Sequence, residues 1–478
     1  MSHERRWRQR TKIVCTLGPA TANIAMIERL IRSGMNVARI NRSHGSFQEH
    51  AGYLSMVRQT ARRLNSSVAI LLDLPGPKYR TGEMKGGSAF LRRGDEVILT
   101  SRDIDGDSQI IPLNFSTLSK DVKIGNTILV DDGAIQLRVR EIRGKDIISR
   151  VIVGGTITSR RGVVVPGARV SEPFLTPILR ENLEFAVQQK PDYIALSFVT
   201  RAEEIEEVRD ILKRTDTNIP IISKIERGEA VKNFGEILAA SDGIMVARGD
   251  LGVEIPLKNI PHVQKELIRR SNMAFKAVIT ATQMLESMVN SPRPTRAEVT
   301  DVANAILDGT DAVMLSAETS IGKYPAQSVK MMSQIAAETE HHLRYEELLT
   351  DRGNWLKKQT DELISYSACN TAHWLKAAAI VAFTQSGSTA RRVSKYRPRT
   401  PVIAMTPDQE VARRLILYWG VLAFHTPRLT SVDDLFKAGT RLAAELGIAK
   451  SGDLIVITGG LPIGVTGSTN LLKVQQIP

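Results

Sequence analysis

Eight short apolar runs constrain what this chain can fold into more than any other feature. KIVCTLG from Lys12, NVARINRS from Asn36, VAILLDL from Val68, YIALSFV from Tyr193, PIISKIE from Pro220, GIMVARGD from Gly243, AVITATQ from Ala277 and AVMLSAET from Ala312 each read as a buried parallel strand. A polar turn and a segment with helical spacing follow each run. Eight strand–helix units are the count of a TIM (β/α)8 barrel, although a doubly wound sheet carries the same periodicity. One intervening helix is marked in detail. Thr295 and Glu298 form a capping-box pattern, and Val299, Val302, Ala303 and Ile306 recur at helical spacing on the face that should meet the sheet.

The series is interrupted between the third and fourth runs. Residues 82–165 alternate in segments such as EVILT, NTILV and IQLRVRE, broken by GD, GN, DDG and RGKD, which predicts a small inserted β domain. An insertion at the strand ends of a barrel lies where active sites of that fold are built, so its position suggests a lid. After His342 a charged helical stretch leads into a new α/β pattern: AAIVAFTQSGS from Ala378, TPVIAMT from Thr400, VLAFHT from Val421 and DLIVITGG from Asp453. The expected division is a barrel over 1–81 and 166–342, a lid over 82–165 and a C-terminal α/β domain over 343–478.

Composition narrows the class. Two cysteines, Cys15 and Cys369, are too few for a disulfide framework and carry no metal signature. No apolar run approaches the roughly 20 residues of a membrane span, and the opening MSHERRWRQR has no apolar segment behind it, so a cytoplasmic protein without membrane contact is expected. The formal charge of +13 is scattered, aromatics are 5%, and no zinc-finger or RNP pattern occurs, which argues against nucleic acid.

Polar residues fall where the apolar runs end, and a purely structural strand would not need them. In order they are Arg39, Asn41 and Ser43; Asp73, Lys78 and Arg80; Ser197; Lys224 and Glu226; Arg248 and Asp250; Thr282; and Ser316 with Glu318. In a barrel all would face one mouth. Glu226 and Asp250, with no His or Cys cluster beside them, suit Mg²⁺ or Mn²⁺; the alternative is that each pairs with Lys224 or Arg248. Arg39, Lys78, Arg80, Lys224 and Arg248 at one mouth would repel by roughly 1 to 4 kcal/mol per close pair, so an anion between them is expected. A phosphorylated substrate supplies one. Neither G-x-x-x-x-G-K-[ST] nor G-x-G-x-x-G occurs, and His44 is the single histidine in these motifs, where a lone histidine is more often structural than functional.

At this point the chain resembles the pyruvate kinase family over essentially its whole length. TLGPA at Thr16, NRSHG at Asn41, GPKYRTG at Gly76, PIISKIERGEAV at Pro220, MVARGDLGVEIP at Met245, ATQMLESM at Ala281, SPRPTRAEV at Ser291 and LDGTDAVMLSAET at Leu307 look like family blocks in order. SKIE or RGD alone would be weak. The resemblance implies a barrel, an inserted β-barrel lid, a C-terminal regulatory domain and a homotetramer. It also implies transfer of the phosphoryl group of phosphoenolpyruvate to ADP, giving pyruvate and ATP, with Mg²⁺ or Mn²⁺. Carried over residue by residue, Glu226 and Asp250 match the metal ligands. Ala247, Arg248, Gly249 and Asp250 match the phosphoenolpyruvate pocket, with Arg39 and Ser197 beside it. Lys224 matches the charge-stabilising lysine, Thr282 a residue near the enolpyruvate methylene, and Ser316 and Glu318 the block linked to the proton relay. Asn41, His44 and Arg80 resemble the nucleotide and phosphate side, and Arg161 stands where the lid commonly carries lysine.

Besides Arg161, two positions depart from the family pattern. Potassium-dependent relatives bind K⁺ at positions matching Asn41, Ser43, Asp73 and the Leu74 carbonyl and have glutamate where this chain has Lys78, so the lysine should replace the ion's charge and K⁺ should not be required. Arg42 replaces the usual phenylalanine of NFSHG. In the C-terminal domain Thr384, Gln385, Ser386, Gly387, Ser388 and Thr389 resemble a hydroxyl-rich phosphate cradle, with an ordinary helix cap as the alternative, and the GGLPIGVTGSTN tail with Gly464 and Gly467 resembles a loop completing an effector pocket. Activation by a phosphorylated metabolite, a sugar phosphate or AMP, is expected. Rival readings are a Mg²⁺-dependent barrel aldolase or lyase and a non-catalytic scaffold; the first leaves the lid unexplained, and the second predicts disrupted catalytic groups.

Overall fold

The computed structural model describes residues 9–115, 117–168, 171–465 and 467–478; the first eight residues of the charged opening segment and Thr466 of the glycine-rich tail lie outside them. Eight parallel strands close into one barrel. They are β1 (Lys12–Thr16), β2 (Val37–Asn41), β3 (Ala69–Leu74), β4 (Tyr193–Leu196), β5 (Ile221–Ile225), β6 (Gly243–Ala247), β7 (Ala277–Ala281) and β8 (Ala312–Leu315). Each of the eight apolar runs supplies one of them, and closure decides between the barrel and the doubly wound sheet. The capping box forms as read: Glu298 N–H donates to Thr295 Oγ1 at 3.2 Å and Thr295 N–H to Glu298 Oε2 at 2.7 Å. It opens the helix Arg296–Leu307, whose Val302 and Ile306 are buried.

Side chains alternate in direction along a strand, so each barrel strand divides its residues between two cores. Ile13, Cys15, Ile70, Leu72, Leu74, Ile194, Ile221, Ile225 and Val246 pack with the surrounding helices. Val14, Val37, Ala69, Leu71, Tyr193, Ala195, Ile222, Met245, Ile279 and Met314 form the other cluster, inside the barrel. Extending the inward set by two residues at a time reaches Arg39 and Asn41, Asp73, Ser197, Lys224 and Glu226, Ala247 and Ser316. The period of two therefore aims these groups into the mouth, while Leu74 has the outward parity and offers the mouth only its carbonyl.

Residues between β3 and β4 form a six-stranded sheet and a two-stranded ribbon, Ser88–Leu91 with Gly155–Thr158. Their own core includes Leu91, Val97, Leu99, Val130, Leu137, Val151 and Ile157. The chain joins the barrel through bridges of Arg80 to Gly162 and Thr81 to Leu113. A further five-stranded sheet follows: β9 (Ala379–Phe383), β10 (Val402–Thr406), β11 (Val421–His425), β12 (Leu454–Gly460) and the antiparallel edge strand β13 (Thr469–Gln476), in the order β11-β10-β9-β12-β13. It meets the barrel at the end opposite the mouth. Arg397 pairs with Asp311 at 2.7 Å and Arg413 with Asp192 at 2.6 Å, each aspartate lying just before a barrel strand. Among the described residues no helix is long and apolar enough to cross a membrane.

Candidate active site

The strand ends gather into one linked array. Asp73, 1% exposed, takes Arg39 on Oδ2 at 2.7 Å and Lys224 on Oδ1 at 3.3 Å. The Lys224 ammonium also donates to Ser197 Oγ at 2.8 Å and lies 2.9 Å from Glu226 Oε1. Ser197 Oγ donates in turn to the Leu74 carbonyl at 2.8 Å. That crossing is tight because Gly76 follows: a Cβ there would fall 2.1 Å from the Ser197 carbonyl oxygen. Burial works against the charge on Lys224, but Asp73 and Glu226 outweigh it and hold its pKa above the ordinary lysine value. Burial likewise disfavours the Asp73 carboxylate, yet Lys224 and Arg39 keep its pKa below the usual range.

Glu226 and Asp250 line a common cavity of about 20 Å³, with Lys78, Phe198, Arg227 and the Val163–Val165 segment of the insertion. Phe198 N–H, at φ 61°, donates to Glu226 Oε2 at 2.7 Å. Burial pushes the Glu226 pKa up, and repulsion from Asp250 adds to it. Lys78 Nζ sits 2.5 Å from Asp250 Oδ1. Two hard-oxygen donors facing a cavity with room for about one water-sized body fit a Mg²⁺-like ion that completes its shell with water and substrate oxygens. The ammonium groups on both carboxylates mark the seat as one that attracts cations. No cluster of three or more metal-binding side chains occurs among the described residues.

The expectation that the mouth cations need an external anion is corrected. Arg39, Lys78, Lys224 and Arg248 each have an internal carboxylate, and Arg80 donates to the Arg160 carbonyl at 3.2 Å. Arg248 departs furthest from the reading as a pocket cation: it binds Asp301 at 2.7 Å and the Thr282 carbonyl at 2.8 Å. It thereby holds Thr282 and Gln283 in their left-handed conformation at φ 71° and 53°. Thr282 Oγ1 accepts Gly249 N–H at 2.7 Å and donates to the Ala281 carbonyl at 2.6 Å, tying the β6 and β7 exits together.

Glu318, 1% exposed, accepts Ser316 N–H at 2.6 Å and Leu285 N–H at 3.0 Å, and burial raises its pKa. The Ser316 hydroxyl is buried with no hydrogen-bond partner among the described residues. Asn41 Oδ1 accepts Ser43 N–H at 3.1 Å, and Ser43 and His44 are exposed. Arg161 lies away from this array on Asp131, at 3.3 Å. Arg42 points from the loop into the helices: it donates to Asn182 Oδ1 at 2.8 Å, contacts His50, and stacks 4.1 Å from the Phe47 ring centre. Its extra charge relative to phenylalanine is thus absorbed by packing. Sequence reasoning missed Thr16, whose hydroxyl accepts Arg39 Nη1 at 2.8 Å and which obeys the same inward parity, and Asp301, for which no local signal exists.

The C-terminal cradle follows β9. Thr384, Gln385, Ser386, Ser388 and Thr389 face Gly464, Gly467, Thr469 and Arg428 around a cavity of about 70 Å³. The helix Ser388–Lys395 begins at Gly387, at φ 85°, and no side chain among the described residues caps it. Among the described residues the ordinary capping alternative is therefore not realised; Thr389 Oγ1 instead meets Thr469 Oγ1 at 2.8 Å, and Thr384 Oγ1 is buried with no partner among them.

Fold and mouth together define a (β/α)8 barrel with a charged site at its strand ends, and the proteins it is similar to are phosphotransferases. The pyruvate kinase barrel-domain model matches residues 8–329 and the pyruvate kinase alpha/beta-domain model residues 362–475. Pyruvate kinases of Staphylococcus aureus strains USA300 and bovine RF122 are 47% identical over 98% of this chain and 80% of their own length. The crystal structure of a pyruvate kinase from Cryptosporidium parvum superposes with a TM-score of 0.94 at 39% identity, covering 99% of this chain and 97% of that one. The chain belongs to the pyruvate kinase family, whose members generally use Mg²⁺.

Proposed function

We propose that this chain transfers the phosphoryl group of phosphoenolpyruvate to ADP, forming pyruvate and ATP, with Glu226 and Asp250 as the metal ligands. The convergence of these carboxylates on one small cavity, beside a lysine that stays charged, carries the reading. A hard divalent ion held there supplies Lewis-acid polarisation of phosphoryl and enolate oxygens. Lys224, fixed by Asp73, Ser197 and Glu226, presents a preorganised positive charge where negative charge develops. Arg39 positions Asp73 and so indirectly Lys224. The Ala247–Arg248–Gly249 turn and Thr282 form the wall for the enolpyruvate. Ser316, whose hydroxyl has no partner among the described residues, and Glu318, whose pKa burial raises, are suited to relay a proton to the enolate carbon.

Further roles belong to the same reading. Asn41, His44, Arg80 and the insertion's Arg161 serve the nucleotide, with the segment 82–165 acting as lid. Lys78 supplies a positive charge from the protein itself so that K⁺, otherwise placed near Asn41, Ser43, Asp73 and Leu74, is not required. The 343–478 domain binds a phosphorylated effector in the Thr384–Thr389 cradle, closed by Gly464 and Gly467, within a cytoplasmic homotetramer. A coupled assay with Mg²⁺ tests the core claim: pyruvate should form from phosphoenolpyruvate strictly with ADP, and in buffers free of K⁺ and Na⁺. ADP-independent pyruvate release would overturn the reaction, and a strict K⁺ requirement would overturn the role of Lys78.

A further inference from the structure

We infer that Lys78 makes divalent-ion binding contingent on the anionic substrate, its ammonium holding Asp250 until a phosphoryl-bearing ligand draws it off. The inference rests on the metal seat proposed above and concerns the order in which that seat fills. Two ammonium groups touch the seat, and they are held differently. Lys224 is anchored on the barrel side by Asp73 at 3.3 Å and Ser197 at 2.8 Å, so its contact with Glu226 is one of several. For Lys78, Asp250 is the one carboxylate partner among the described residues, at 2.5 Å, with the two side chains 17% and 29% exposed.

The lysine has little room to withdraw unaided. Gly162 of the insertion lies against its stem, so close that a Cβ there would fall 2.9 Å from Lys78 Cε and 3.4 Å from Nζ. On another side the Phe198 ring centre is 5.3 Å from Nζ. A divalent ion reaching Asp250 in the ligand-free enzyme must displace a positive charge that then stays nearby, and like charges a few ångströms apart weaken binding severalfold or more. A phosphate or carboxylate bound beside the seat gives the ammonium a new acceptor and removes that cost. Linkage makes the effect mutual: the substrate tightens the ion by the same factor as the ion tightens the substrate.

The test is a Mn²⁺ titration of the full-length chain, following free Mn²⁺ by electron paramagnetic resonance, with and without phosphoenolpyruvate and without ADP. Thermal melting checks that each variant is folded. Lys78→Gln should bind Mn²⁺ alone about tenfold more tightly than the wild type, and its ratio of dissociation constants without and with phosphoenolpyruvate should shrink correspondingly. Lys78→Arg, keeping a cation, should retain the wild-type ratio. The inference is overturned if Lys78→Gln binds Mn²⁺ alone no more tightly than the wild type, or if its ratio is unchanged. Glu226→Gln and Asp250→Asn separate the two levels. If they leave Mn²⁺ binding intact, the seat itself is wrong; if they abolish it while Lys78→Gln changes nothing, only the gating by Lys78 falls.

Discussion

The barrel mouth and the C-terminal cradle are both built where parallel strands end and helices begin, yet they hold polar groups in opposite ways. At the mouth, charges are dense and cancel internally: Arg39, Lys224, Lys78 and Arg248 all meet carboxylates. The cradle is lined by hydroxyls and glycines alongside apolar side chains such as Phe383, Met405 and Leu435, with Thr384 Oγ1 unpartnered among the described residues and Arg428 also in the lining. The difference teaches that a site for moving charge needs its cations held in place by anions, so that they cost no reorganisation during reaction. A site that only binds an anion can use neutral donors and a helix N-terminus.

The largest expected effect breaks the mouth. Lys224→Met should lower turnover by about 10³- to 10⁵-fold, comparable to removing a charge-stabilising cation from other phosphoryl-transfer sites, with the melting profile still showing a folded protein. Near-normal turnover would refute the role given to Lys224.

Asp73→Asn tests whether the internal pairing also supports the fold. Removing one member of a buried ionic array should cost about 3 kcal/mol or more at neutral pH. Because the native Asp73 pKa lies below the ordinary carboxylate value, its contribution is fully present above that value and fades as pH falls through the lowered native pKa. Urea unfolding from neutral to acid pH should show a steeper acid-side loss in the wild type than in the variant; identical slopes would mean that Asp73 is not held ionised by its neighbours.

The smallest effect concerns the cradle. Ser388→Asp places a carboxylate at the helix start and should weaken any phosphorylated activator by about tenfold or more through like-charge repulsion. Activation curves with sugar phosphates and AMP measure it, and an unaltered midpoint would move the effector site elsewhere.

Much of this was legible along the chain. The eight strands, the capping box before Arg296 and the strand-end positions of Asp73, Lys224, Glu226 and Ser316 follow from local patterns that burial enforces, whereas closure into a barrel does not, because a doubly wound sheet shares the same periodicity. Period-two parity even separates Leu74, turned outward, from Asp73, turned inward. The pairing of charges was not legible. Lys78 meets Asp250 across 172 positions and Arg248 meets Asp301 across 53, and periodicity carries no information at such separations. Arg42 shows the same limit: its neighbours Asn41 and Ser43 belong to the mouth, but only packing sends its guanidinium to Asn182 and the Phe47 ring.

The sequence by itself therefore determined which side chains reach the mouth, because alternation along a strand and burial of apolar faces act locally and leave little choice. Only the tertiary structure decided which of those charges neutralise one another and which remain available to a ligand. Electrostatic partners are selected by distance in space, and closing the barrel brings together strand ends that lie far apart in the chain.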